Sequence, residues 1–175
     1  TKMWTKDING QWEFGRSFIF NSGNNANLIT ILAKLPMLIF FVLSAWLVFL
    51  WSNKLYGTAG GLTALILFVF SPTVMAHSRF VTTDIAALFG VLYGSYFFIR
   101  YLEKSSFRNM LIAAIFFGIA LLAKFSTFLL APYFVFIAAL WGFVGAENFS
   151  LRLKNAFSFT LRSLVIFISG FVIVV

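Results

Sequence analysis

The chain has 175 residues, of which 61% are hydrophobic and only 10% are charged, and its mean hydropathy is +0.96. This composition excludes an ordinary soluble domain, where about a quarter of the residues are charged, and the absence of cysteine excludes disulfides and thiolate metal sites. The net charge of +8 indicates membrane topology rather than nucleic-acid binding, because basic residues accumulate beside the cytoplasmic ends of membrane helices.

Polar and aromatic residues are mixed in the first part of the chain, residues 1–34. Trp12 and Phe14 lie among charged residues, and an asparagine-rich run follows at 21–27. Aromatic rings beside polar groups are typical of the headgroup zone of a bilayer. The sequence therefore predicts an interfacial segment over residues 1–34, on the outer side of the membrane.

Apolar stretches occupy most of residues 35–175, and each is close to the length that crosses a hydrocarbon core of about 30 Å. The chain can reverse at Gly57, and Pro72 is expected to kink or end the second stretch. Residues 82–84, Thr-Thr-Asp, have the pattern of a helix N-cap before the third. A later apolar run is too long for one crossing and must turn near Lys124. We predict an all-α integral membrane bundle of about six transmembrane helices. The predicted spans are 35–52, 59–76, 85–101, 109–123, 127–143 and 157–175.

Basic residues are divided unequally between the two sides that these spans define. Apart from residues 1–34, one side has only Arg79 and Lys124. The other side has seven basic residues: Lys54, Arg100, Lys104, Arg108, Arg152, Lys154 and Arg162. The richer side is predicted to be cytoplasmic, which puts the loop over residues 77–84 and the turn at Lys124 on the outer face.

The charges on the outer side are candidates for a functional site, because an ion close to the hydrocarbon core needs a partner or a purpose. Arg79, Asp84 and Lys124 could place one carboxylate near two cations, an arrangement that suits an anionic headgroup. Structural roles are the alternatives. Asp84 would then cap a helix and pair with Arg79, and Lys124 would extend to the interface. His77 is expected to be a hydrogen-bonded loop residue rather than a metal ligand, because no second His or Cys accompanies it.

Several motifs occur in an order that resembles a known family. They are WEFGRSFIFNSGNNAN at 12–27, LAKLP at 32–36, WSNKLYG at 51–57, SPTVMAHSRFVTTD at 71–84 and GIALLAKFS at 118–126. This order is similar to that of the protein O-mannosyltransferases, and more closely to their bacterial relatives in glycosyltransferase family 39, which include the aminoarabinose transferases of lipid A. The resemblance covers nearly the whole chain.

The resemblance implies a fold of the GT-C class, with an extracytoplasmic active site in a bacterial inner membrane. A mannose-like sugar would pass from a polyprenyl-phosphate carrier to a protein, lipid or glycan acceptor. Asp84 matches the second acidic position of the family and is the expected catalytic residue, whereas the first catalytic carboxylate would precede Thr1. The expected substrate-binding residues are Arg79, Lys124, His77 and Lys34, the last where relatives more often have Arg. A divalent metal ion is left open as a cofactor, and Asp84 would orient the site or help to bind that ion.

Two other classes of protein remain as alternatives. A polytopic membrane transporter would also carry charges such as Asp84 and Lys124, but near mid-depth and within repeated halves. A non-catalytic membrane subunit predicts that Arg79, Asp84 and Lys124 do not converge.

Overall fold

The computed structural model describes residues 10–144 and 148–174, and this part of the chain is helical with no β-strand. A π-helical turn, Ser17–Asn21, follows the first helix, and a 3-10 turn, Phe125–Leu129, precedes the sixth. The α-helices are α1 Gly10–Arg16, α2 Ala26–Val69, α3 Pro72–Arg79, α4 Thr83–Glu103, α5 Phe107–Ala123, α6 Leu130–Val144 and α7 Phe149–Val174.

Helix α2 is a hairpin of two helical halves, residues 26–56 and 58–69. Gly57 joins them with a φ of +72°, a left-handed conformation that residues with a Cβ rarely adopt. The rings of Phe41 and Phe68 stack with centroids 6.1 Å apart, although a straight helix would separate them by about 40 Å. The predicted reversal at Gly57 is therefore present; the first predicted span lies in the first half of α2, and the second begins in its second half.

The second predicted span, residues 59–76, is not one continuous helix. Helix α2 ends at Val69, Ser71 is extended with a ψ of 122°, and Pro72 begins the separate helix α3. Proline suits the first turn of a helix because its missing N–H has no helical acceptor there. The interruption therefore lies just before Pro72, and it gives α3 an axis of its own.

Two helices begin earlier than the spans predicted within them. The first span was expected from residue 35, but α2 begins at Ala26, where the Asn25 side chain accepts a hydrogen bond from the Leu28 N–H at 3.1 Å. The last span was expected from residue 157, but α7 begins at Phe149. Both extensions are polar at their start, so hydropathy alone misses them.

Within residues 10–144 and 148–174, four helices are long and apolar enough to cross a membrane, which supports an all-α membrane fold. The fifth apolar helix, α5, has 17 residues and is shorter. The four helical segments are Ala26–Val69, Thr83–Glu103, Phe125–Val144 and Phe149–Val172.

Helix α4 lies between the first half of α2 and α5, while α7 packs on both α5 and α6. Small residues allow these close crossings. A Cβ on Gly90 would lie 2.7 Å from the Cα of Ala120, so α4 and α5 touch through their backbones. In the core, the buried rings of Phe98 and Phe134 stack with centroids 4.2 Å apart.

The first half of α2 and helix α4 run parallel in one constant register. The rings of Phe40 and Phe89 lie 5.1 Å apart, and the Tyr93 hydroxyl donates to the carbonyl of Leu43 at 3.0 Å. Farther along, Lys54 Nζ lies 3.8 Å from Glu103 Oε2. The same register places Lys34 level with the first turn of α4.

Candidate functional site

Asp84 is the centre of a cluster of three polar side chains that come from separate elements. Lys124 Nζ donates to Asp84 Oδ1 at 2.7 Å, and His77 Nδ1 lies 3.3 Å from Asp84 Oδ2. Asp84 belongs to the first turn of α4, His77 to the last turn of α3, and Lys124 follows α5. Both oxygens of one carboxylate thus contact nitrogen groups brought in from different parts of the chain.

Lys124 is positioned by the end of α5 and by the turn that follows it. Its backbone is extended, with φ −156° and ψ 122°, and its N–H donates to the carbonyl of Ala120 at 3.0 Å. The carbonyl of Lys124 accepts from both the N–H of Thr127 at 3.0 Å and its hydroxyl at 2.7 Å. Because Ala120 is also where α5 touches α4, the close helix crossing and the Thr127 turn together aim Lys124 at Asp84.

A cleft opens beside His77 and Asp84, between α3 and α4. Its volume is about 270 Å³. The lining residues are Thr73, Val74, His77, Asp84, Ile85 and Leu88. The carboxylate and the imidazole are its charged or titratable groups, and its remaining lining is mainly apolar, so a polar ligand would be oriented by the Asp84 end of the cleft.

The side chains of the cluster are partly accessible, with relative exposures of 34% for Asp84, 47% for Lys124 and 42% for His77. Ion pairs that are exposed to this degree contribute little to stability. Asp84 also lies at the N-terminus of α4, where the helix dipole is positive. The Lys124 ammonium group and the N-terminus of α4 therefore lie together at this carboxylate.

Arg79 does not join the cluster. It is exposed and forms no ion pair with any of the described residues, whereas the sequence suggested that it would share Asp84 with Lys124. His77 takes that place instead. Residues two apart on a helix point about 200° away from each other, so the turn that directs His77 to Asp84 directs Arg79 elsewhere.

Lys34 is half-buried on α2, level with Asp84 along the bundle axis by the register of the two helices. It forms no ion pair within residues 10–144 and 148–174. Of the five residues selected from the sequence, the structure therefore joins Asp84, Lys124 and His77, puts Lys34 at their level and leaves Arg79 apart.

Thr127 is a part of the site that sequence reasoning missed. It is 8% exposed and makes both hydrogen bonds to the Lys124 carbonyl. Thr often forms a hydrogen bond back to the backbone three residues earlier in a turn, so the position of Thr127 after Lys124 was a signal. Many turns have this pattern, however, and it does not single out a functional site.

The described residues contain no group of three or more His, Cys, Asp or Glu side chains that could hold a metal ion. Asp84 and His77 are a pair, and both carboxylate oxygens of Asp84 already contact nitrogen groups. The chemistry that this cluster offers is thus that of a cation-bound carboxylate beside an imidazole.

No curated protein and no solved structure gives a significant match to the chain. A family model does match, over residues 26–172, and its description is dolichyl-phosphate-mannose-protein mannosyltransferase. The matched range contains the whole Asp84 cluster and all of the long apolar helices. The chain therefore belongs to the dolichyl-phosphate-mannose-protein mannosyltransferase family of membrane glycosyltransferases.

Proposed function

We propose that the protein transfers a mannose-like sugar from a polyprenyl-phosphate carrier to an acceptor on the extracytoplasmic side of a bacterial inner membrane. Family membership over residues 26–172 supports the reaction class. The observation that carries the proposal further is the convergence of Asp84, Lys124 and His77 at one end of an apolar helix bundle. The acceptor would be a protein, a lipid or a glycan.

The cations have a role in the loss of the carrier phosphate. When the bond between the sugar and the phosphate breaks, the electron pair goes to the phosphate oxygen, and cationic groups near a low-dielectric medium stabilise that charge. Lys124 is the closest such group to Asp84, at 2.7 Å, and Lys34 is level with it. We assign Asp84 the role of orienting Lys124, and Lys34 an outer contact with the phosphate.

One face of α4 offers a path for the lipid part of the carrier. Asp84, Leu88, Val91 and Ser95 recur at helical spacing and share that face. Val91 and Ser95 line a second cleft, of about 470 Å³, against the segment that follows Lys124. A phosphate at Asp84 and Lys124 would thus have a mostly apolar surface below it.

The distribution of basic residues indicates which end of the bundle faces the cytoplasm. The end that carries Lys54 and Glu103 also carries the seven basic residues counted above, and Asp84 lies at the other end of α4. By the distribution of basic residues, the Asp84 end faces away from the cytoplasm.

The two alternative functions have less support. A transporter would place Asp84 near mid-depth, but it lies in the first turn of α4. A non-catalytic subunit predicts that Arg79, Asp84 and Lys124 do not converge; Asp84 and Lys124 are in contact, whereas Arg79 lies apart from them.

The test is sugar transfer from a polyprenyl-phosphate donor, measured in membrane vesicles that contain the protein. Asp84→Asn removes the charge that holds Lys124 and should lower the rate at least about tenfold with expression intact. Glu103→Gln is the matched control, because it also removes a carboxylate next to a lysine, but at the opposite end of α4. Equal activity of Asp84→Asn and wild type would refute the assignment of this site.

A further inference from the structure

The two nitrogens of His77 have different surroundings. Nδ1 lies 3.3 Å from Asp84 Oδ2. Nε2, on the other side of the ring, has no hydrogen-bond partner among the described residues, and the side chain lines the cleft between α3 and α4. A carboxylate contact at one ring nitrogen orients the imidazole and leaves the other nitrogen for a ligand. His77 is therefore the one titratable side chain in the cleft with a free proton-transfer atom.

We propose that His77 is an acid catalyst that donates a proton from Nε2 to the departing phosphate oxygen of the lipid-linked donor. The inference rests on the proposed function and adds a residue to it. The Asp84 carboxylate contacts Nδ1 and so orients the ring, which leaves Nε2 as the atom that gives up the proton.

The cleft has the size for the phosphate end of the donor rather than for the whole lipid. Its volume of about 270 Å³ lies just below the range of pockets that enclose drug-sized molecules, about 300–1,000 Å³. Thr73 adds a hydroxyl to its lining, and Leu88 leads along α4 towards the apolar cleft at Val91. A phosphate at the Asp84 end of the cleft would lie beside His77, with the hydrocarbon chain continuing along α4.

The proton balance of the step is complete. The bond between the anomeric carbon and the bridging phosphate oxygen breaks, and its electron pair goes to that oxygen, which takes the proton from His77 Nε2. The acceptor oxygen bonds to the anomeric carbon, and the acceptor proton passes to water or to a carboxylate on the acceptor side. His77 is left neutral and regains a proton from water.

Charged groups from several elements lie around His77. Asp84 faces it from α4, Lys124 comes from the turn after α5, Lys34 is level with Asp84 on α2, and Arg79 is on its own helix. Among protein side chains, imidazole is the one whose ordinary pKa lies close to neutral pH. A neutral ring has no proton to donate from Nε2 once Nδ1 holds the single proton, so the rate should fall as pH rises.

The experiment measures kcat against pH for wild type and His77→Gln, with a polyprenyl-phosphate-sugar donor in membrane vesicles. Gln keeps a hydrogen-bonding side chain but cannot donate a proton. General acid catalysis contributes about 10²–10⁴-fold, so His77→Gln should lose at least about a hundredfold in kcat at acidic pH and show no fall on the alkaline side. Met75→Leu, at an exposed position of the same helix, is the control and should keep the wild-type profile.

A second measurement keeps the inference testable if His77→Gln folds poorly. A glycosyl fluoride is a donor whose leaving group needs no proton, so wild type and a His77→Ala variant should differ much less in kcat with this donor. With the natural donor, free imidazole should partly restore the activity of the His77→Ala variant. If wild type transfers sugar but has no alkaline fall, or if His77→Gln keeps that fall, the inference is overturned and the proposed function stands. If wild type transfers no sugar from any lipid-phosphate donor, the proposed function itself fails.

Discussion

Thr127 should control the position of Lys124 through the backbone of the turn that follows α5. Its hydroxyl donates to the Lys124 carbonyl at 2.7 Å, and its N–H donates to the same oxygen at 3.0 Å. Thr127→Val keeps the shape of the side chain and the backbone bond, and removes only the hydroxyl bond. One hydrogen bond contributes about 1 kcal/mol net, and the carbonyl stays bonded, so no buried polar group is left without a partner.

The expected loss in activity follows from that figure. If the hydroxyl bond holds the extended backbone of Lys124, up to about 1 kcal/mol of transition-state stabilisation is lost, which corresponds to roughly fivefold in kcat/KM. Thr127→Ser restores the hydroxyl and should recover most of the activity. The unfolding temperature in detergent should change little, because this turn is only one contact among many in the α4, α5 and α7 packing.

The assay compares wild type, Thr127→Val and Thr127→Ser in sugar transfer and in thermal unfolding. A readout independent of catalysis is the rate at which a membrane-impermeant amine reagent labels Lys124, which should rise in Thr127→Val because Lys124 spends less time on Asp84. Equal labelling and equal kcat/KM in all three proteins would refute the positioning role. A large fall in unfolding temperature for Thr127→Val would instead mean that the hydroxyl supports the fold.

Two further predictions concern the helix crossing and the cations. Gly90→Ala would put a Cβ 2.7 Å from the Cα of Ala120, so α4 and α5 must separate. The free energy of unfolding in detergent should fall by about 1–3 kcal/mol, and sugar transfer should fall with it. A variant as stable as wild type would contradict the close crossing. Lys124→Gln should lower the rate of sugar transfer at least about tenfold. Arg79→Gln leaves the Asp84 contacts intact and should lower that rate by less than about threefold. The reverse order would mean that Arg79, not Lys124, holds the carrier phosphate.

Local chemistry made a large part of the fold predictable. Hydropathy over lengths of about 20 residues predicts membrane helices, because the bilayer sets a minimum length for each crossing. Gly57 marks a reversal that few other residues allow, and the polar break at Lys124 marks the next turn on the outer side. Ser71-Pro72 was recognised as a weak point in the second span, although the complete separation of α3 was not.

The sequence by itself therefore determined the class of protein, the reversals and a short set of charged candidates, since these depend on the residues within one helix or one turn. Only the tertiary structure decided which candidates meet. Asp84 contacts His77 rather than Arg79 because α3 has its own axis after the break at Ser71, and it contacts Lys124 because Gly90 lets α5 approach α4 closely. Helix phase and crossing distance arise from packing between distant segments, and no local pattern specifies them.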